Sequence, residues 1–198
     1  MFLRYGIRSV SMDDIANQLG VSKKTVYQYF SDKDELVDAS LEIEIRKGQQ
    51  DCLECSNKAQ NAIEEIILAM DKIVEQFNHM NPMVIYDLEK FHFNSFRKFQ
   101  KYKNEFLLEI VRKNMERGIR EELFRPEIQV DILSRFRLES MMMVFNPDIF
   151  PQRKYGMVEV TVEILEHYLF GLSTMKGYKL ILKYLQEKKL QIHGKFPT

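Results

Sequence analysis

Residues 11–41, SMDDIANQLGVSKKTVYQYFSDKDELVDASL, narrow the fold of this chain more than any other stretch, because three capped helix starts and one turn glycine are packed together. Ser11 has the hydroxyl to cap a free backbone N–H, Asp14 stands three positions on as its reciprocal partner, and Asp13 favours the positive helix end. The spacing predicts a helix over Met12–Leu19, with Met12, Ile15, Ala16 and Leu19 on one apolar face and Asp13, Asp14, Asn17 and Gln18 on the other. Gly20 supplies the backbone freedom of a sharp turn, and Val21 is placed to plug the corner. Ser22 then caps a second short helix, Lys23–Tyr29, whose Val26 and Phe30 pack back on the first. Ser31 and Asp34 repeat the cap spacing at the head of a third helix. That helix continues through Leu36, Val37, Ala39, Leu41, Ile43 and Ile45, further than a small head requires, and reads as a connector.

Two short helices around a tight turn make a helix-turn-helix. The second leaves Lys23, Lys24, Thr25, Tyr27, Gln28 and Tyr29 facing outward, and such cations, hydroxyls and an amide suit phosphates, base edges and thymine methyls. Duplex DNA is therefore the expected partner.

The run IANQLGVSKKTVYQYFSDKDELV resembles the TetR-type family of transcriptional regulators, whose pattern here is D-I-A-x-x-L-G-V-S-x-x-T-[LV]-Y-x-[YH]-F-x-x-K-x-x-L. Weaker likeness continues in NMERGIREELFRPEI and STMKGYKLILKYL, although only the first forty residues are diagnostic. The resemblance implies an all-α fold: a DNA-binding head over residues 1–45 and a helical ligand-binding and dimerisation body over 46–198. It puts Lys23, Lys24, Thr25, Tyr27, Gln28 and Tyr29 at DNA-meeting positions, and Lys33 at a phosphate-contacting one beside the repelling Asp32 and Glu35. It also implies a homodimer paired through residues 129–145 and 157–172.

One departure stands out. The family carries a full helix ahead of this unit, ending F-x-x-x-G, whereas this sequence opens at Phe2-Leu3-Arg4-Tyr5-Gly6, so that most of the helix is expected to be missing. Its loss would leave Ile7, Val10, Ile15 and Val26 exposed, at about 1.5–3 kcal/mol for each large side chain left unburied.

Lysine plus arginine equals aspartate plus glutamate at 29 each, so no global field holds a polyanion, and DNA affinity has to come from local placement and two copies. With 198 residues and 45% apolar content the chain is long enough for a sizeable core. No apolar run approaches the ~20 residues of a membrane span, and two cysteines suit a reducing compartment; a cytoplasmic protein without membrane contact is expected. Cys52 and Cys55 form a C-x-x-C without a second pair, and read as two unpaired thiols one turn apart.

Downstream, apolar periodicity predicts helices over residues 59–77, Met83–Phe91, 94–117 (closed by Gly118), 129–145, Met157–Leu172 and 176–188, the last lying back through Tyr178, Ile181, Leu182 and Leu185. Met157–Leu172 is apolar almost all round and calls for cover from more than one side, which a second copy would give. Rings and thioethers in the middle of the chain make Tyr86, His92, Phe93, Phe96, Phe99, Met141 and Met142 candidates for a pocket holding an apolar or aromatic effector.

These readings converge on a ligand-responsive regulator, a repressor by expectation, acting as a homodimer on a near-palindromic operator. The alternative is a small-molecule or lipid-binding helical dimer that has lost DNA binding. An enzyme is the weakest reading: His79, His92, His167 and His193 are scattered, no cofactor or phosphate-loop motif occurs, and Glu163 with His167 reads as a surface ion pair.

Overall fold

The structure, a computed structural model, describes residues 1–193, with side chains as far as Glu187. Among them no strand forms; a single bridge joins Phe124 and Ser173. The head comprises α1 (Phe2–Tyr5), α2 (Met12–Leu19) and α3 (Lys23–Tyr29), and α4 (Lys33–Lys58) leads from it into the body. The body contains α5 (Ala62–Phe77), α6 (Met83–Phe91), α7 (Phe93–Lys101), α8 (Leu108–Arg120), α9 (Val130–Met142), α10 (Met157–Leu172) and α11 (Met175–His193). A π-helical turn, Tyr102–Leu107, joins α7 to α8, and a 3-10 turn, Met143–Phe145, closes α9.

The capping box of α2 forms as the sequence requires: the Asp14 N–H donates to the Ser11 hydroxyl at 3.1 Å, and the Ser11 N–H to the Asp14 carboxylate at 2.8 Å. The cap of α4 falls one residue later than expected. Asp32, not Ser31, accepts the N–H of Glu35 at 2.9 Å, while Glu35 turns back to accept the N–H of Ser31 at 2.6 Å. Both spacings suit a box, and the carboxylate is the stronger acceptor for a backbone donor.

Main-core residues Ile63, Met115, Phe124, Leu169, Leu172 and Ile181 hold α5, α8, α10 and α11 together. Gly118 lies inside α8 rather than ending it. A Cβ there would run into the Phe124 ring, so the glycine serves close packing, and the turn comes at Glu122, with φ of 59°. The helix expected over residues 94–117 is thus α7 and α8 with a π turn between them. In α11 the packing residues are Leu180, Ile181, Tyr184 and Leu185, whereas Leu182 and Tyr178 are exposed, the latter ring lying 5.3 Å from that of Phe170.

A polar network ties α8 to the start of α5. Arg117 donates to Glu65 at 3.0 Å, to Glu121 at 2.7 Å and to the Ala59 carbonyl at 2.9 Å, and Glu121 accepts the Ala62 N–H at 2.7 Å. Glu65 is buried and its charge is met on the spot, as burial of a carboxylate demands.

Candidate functional site

In the head, Gly20 adopts φ of 68° and turns the chain, its N–H reaching the Ala16 and Asn17 carbonyls. Met12, Ala16 and Val26 form a small core with Phe30 and Leu36 against them, which fixes α3 across α2 and draws the first turns of α4 into the same unit. Val21 does not plug the corner; at 41% exposure it sits outside, since Val26 already fills the space. Lys23, Lys24, Tyr27, Gln28 and Tyr29 are exposed on α3, and Thr25 is half-buried with its N–H donating to Ser22 Oγ at 3.1 Å.

The electrostatics of this face are uneven. Lys23 reaches back to Asp13 at 2.8 Å, and that hydrogen bond raises its pKa. Lys33, half-buried at the head of α4, has its pKa lowered by desolvation against the opposing pull of Asp87, Asp34 and Asp14. Lys24 forms no ion pair among the described residues.

Ile7, Val10, Ile15 and Val26 are buried, contrary to the expectation that they would be exposed. The cover for Ile7 comes from far along the chain: it packs with Val37, Val84 and Leu88, with Phe2, Leu3 and Leu41 around them. Hydrogen bonds accompany the packing. The Arg8 N–H donates to Asp87 at 2.9 Å and the Asn81 N–H to the Leu3 carbonyl at 2.6 Å, so α6 and the turn before it grip the head directly. On the next face, His92 Nδ1 lies 2.8 Å from Asp34, and Lys98 bridges Asp38 and Glu42 of α4 at 2.6 Å each.

A cavity of about 560 Å³ lies among the body helices, with Met1, Phe2, Leu3 and Ile7 of the head also in its wall. Its wall includes α4 from Val37 to Cys55, so the helix that enters the head also forms one side of the cavity. Of the candidates read from the sequence, Phe99, Met141 and Met142 line it. The other four do not. Tyr86 and Phe93 point outward at 45% and 67% exposure, His92 is buried against Asp34, and Phe96 packs on the Ile7 cluster.

Polar wall residues went unrecognised in the sequence. Arg137 and Tyr168 are buried there with the guanidinium carbon 4.9 Å from the ring centroid, and Tyr102 and Asn114 join them. Asn114 donates to the Ala62 carbonyl at 3.0 Å, while its buried Oδ1 has no partner among the described residues. A signal for Arg137 exists: Leu133, Arg137, Ser140, Met141 and Val144 lie three and four apart, which sets a charge within an otherwise inward stripe.

Cys52 and Cys55 are free thiols, and burial pushes Cys52 up to about 11. Among the described residues no group of three His, Cys, Asp or Glu is arranged to hold a metal. Glu163 and His167 are both exposed and form no ion pair with each other among the described residues, which corrects the surface-pair reading. No helix among the described residues is long and apolar enough to cross a membrane.

Comparison with known proteins extends this picture. Residues 1–40 match the family described as bacterial regulatory proteins, tetR family. An uncharacterised HTH-type transcriptional regulator, YvaF of Bacillus subtilis, is 24% identical over 172 residues, covering 83% of this chain and 86% of its own. The HTH-type transcriptional repressor KstR2 of Mycobacterium tuberculosis is 25% identical over 146 residues, covering 69% and 70%. In structure, FadR of Bacillus subtilis, solved in complex with stearoyl-CoA, superposes with a TM-score of 0.66 at 17% identity over 86% of this chain and 93% of its own, a likeness of fold.

Proposed function

We propose that this chain, a TetR-type regulator, works as a homodimeric, ligand-responsive repressor in the cytoplasm. Its paired α3 helices enter successive major grooves of a near-palindromic operator, about 34–36 Å apart. Lys23, Lys24, Thr25, Tyr27, Gln28 and Tyr29 meet the duplex, Lys33 meets a phosphate, and the dimer pairs through residues 129–145 and 157–172.

The observation that carries the reading is the double duty of α4. Leu36 packs into the head core, and from Val37 onward the same helix lines the cavity. An effector that reshapes the cavity therefore acts on the element that sets the distance between recognition helices. A coupling of about 1–3 kcal/mol is typical of such regulation, and nearly complete switching needs ~5.5 kcal/mol of preference for one state. The wall, mostly aliphatic and aromatic, supports an apolar effector. The rival, a helical dimer without DNA binding, rests on the loss of most of the first helix; the burial of Ile7, Val10, Ile15 and Val26 supports a packed head and favours the DNA reading over it.

Selection from a random duplex pool with the full-length chain tests this. Recovery of a sequence with two related half-sites one helical turn, or a multiple of it, apart is the expected result. A pool that stays random after repeated rounds overturns the DNA reading and leaves a ligand-binding dimer.

A further inference from the structure

Arg137 is a charge in the cavity wall that nothing among the described residues answers. It is 7% exposed on α9, its only close partner is the face of Tyr168, and no carboxylate pairs with it among the described residues. The acids around the cavity are engaged elsewhere or unpaired with Arg137: Asp51 pairs with Lys72 at 3.0 Å, Glu65 pairs with Arg117 at 3.0 Å, and Glu44 of α4 forms no ion pair with the guanidinium among the described residues. Burial pushes the Arg137 pKa down, yet a guanidinium keeps its proton in proteins, so the charge remains. An unpaired cation in a low-dielectric wall is costly by itself and strongly favours an anion brought to it.

We propose that Arg137 anchors the effector, and that the effector is a carboxylic acid with one long apolar body, of the fatty-acid type, bound as its carboxylate. This rests on the reading of the cavity as the effector site. A carboxylate matches the single unpaired cation, whereas a phosphomonoester carries about −1.5 to −2 and would bury surplus charge.

The shape argues for a chain. The wall follows α4 from Val37 to Cys55, about 27 Å of helix at ~1.5 Å per residue, a span along which an extended chain fits better than a compact ligand. Tyr102 meets Gly48 at mid-length of α4, and its neighbour Lys103 pairs with Glu139, two residues from Arg137 on α9. The same wall includes Phe2, Leu3, Val84 and Leu88, the residues that wrap Ile7 and hold the head. A tail of sufficient length reaches them.

Binding of hexadecanoate, hexadecan-1-ol and hexadecanoyl-CoA to the full-length chain, below their aggregation limits, tests the idea with no variant needed. The acid is expected to bind about 10–100-fold more tightly than the alcohol, the usual worth of a hydrogen bond to a charged group. Arg137→Met should remove that preference by weakening the acid and sparing the alcohol. Equal affinity for acid and alcohol overturns the anchor while leaving the cavity an apolar site. Tight binding of the thioester with none of the acid overturns it in favour of a neutral carbonyl, and failure of all three ligands removes both the anchor and the cavity reading.

Discussion

The hydroxyl of Tyr102 fills the space beside Gly48: a Cβ built on that glycine would stand 2.5 Å from Tyr102 Oη and 3.5 Å from Cζ. Tyr102 opens the π turn between α7 and α8 and is also a wall residue of the cavity, with its pKa raised by burial so that it stays a neutral phenol. Through this contact the cavity wall touches α4 at mid-length, and α4 leads from the head into the body.

Gly48→Ala is therefore expected to clash, with a cost of about 1–3 kcal/mol from overpacking, partly offset by up to ~1 kcal/mol of better helix propensity. Tyr102→Phe removes the offending oxygen and leaves the ring carbon at ordinary contact distance. Denaturant unfolding of the two single variants and the double should give a favourable coupling of about 1–2 kcal/mol. Additive effects would show that the ring has room to move.

The cations of the head should separate by role. Loss of a phosphate contact lowers the salt slope of duplex binding by about 0.9 per contact, whatever the sequence bound. Lys33→Met is expected to do this, and an unchanged slope removes Lys33 from the interface. Lys23 is held by Asp13, so Asp13→Asn should tighten duplex binding at low salt by releasing it. Weaker binding would mean that Asp13 positions Lys23 for the duplex instead of competing for it.

The head was readable in sequence because its signals are local. Ser11 with Asp14, Gly20, and Ser22 with Thr25 act over three or four residues, and α2 and α3 begin and end where that chemistry says. What failed depends on distant partners. Ile7 is covered by Val84 and Leu88, nearly eighty positions on, and no periodicity near Ile7 announces them. Gly118 carries the signature of a helix end, and only the Phe124 ring folding over it explains why the helix continues. Within the cavity, rings misled and polar groups were missed. Phe93 and Phe136 look like core but stand exposed, while Arg137, next to Phe136, turns inward.

Cys52 should be a sluggish thiol. Burial lifts its pKa from 9.0 to about 11, which at neutral pH leaves about a hundredth of the ordinary thiolate. Alkylation by iodoacetamide of the folded chain is expected to be correspondingly slow at pH 8 and to accelerate as the pH approaches 11. The same shift bears on stability: the folded state favours the protonated thiol, so its contribution is complete below pH 9 and disappears as the pH rises through about 11. Rapid modification at pH 8 would mean that the cavity opens readily to solvent, and would reopen a redox role for the C-x-x-C pair.

The proposed dimer makes its own demand on α9 and α10. Ile132 and Phe136 lie four apart on α9 at 57% and 56% exposure, and Val158 and Val162 of α10 are half-buried. A pair of large apolar side chains at helical spacing is the kind of stripe that a second copy covers, and stable homodimers usually bury more than about 2,000 Å² in all. Phe136→Glu would bring two carboxylates into that seam and is expected to give monomers by sedimentation at micromolar concentration. Tyr86→Glu, a change at an exposed ring outside the proposed seam, should leave the assembly intact. DNA binding should fall with the dimer, because a lone head loses the effective concentration that the first half-site confers on the second, worth 10²–10⁴ in typical bivalent systems. A wild-type chain that sediments as a single subunit at the same concentration overturns the pairing, and with it the two-groove geometry.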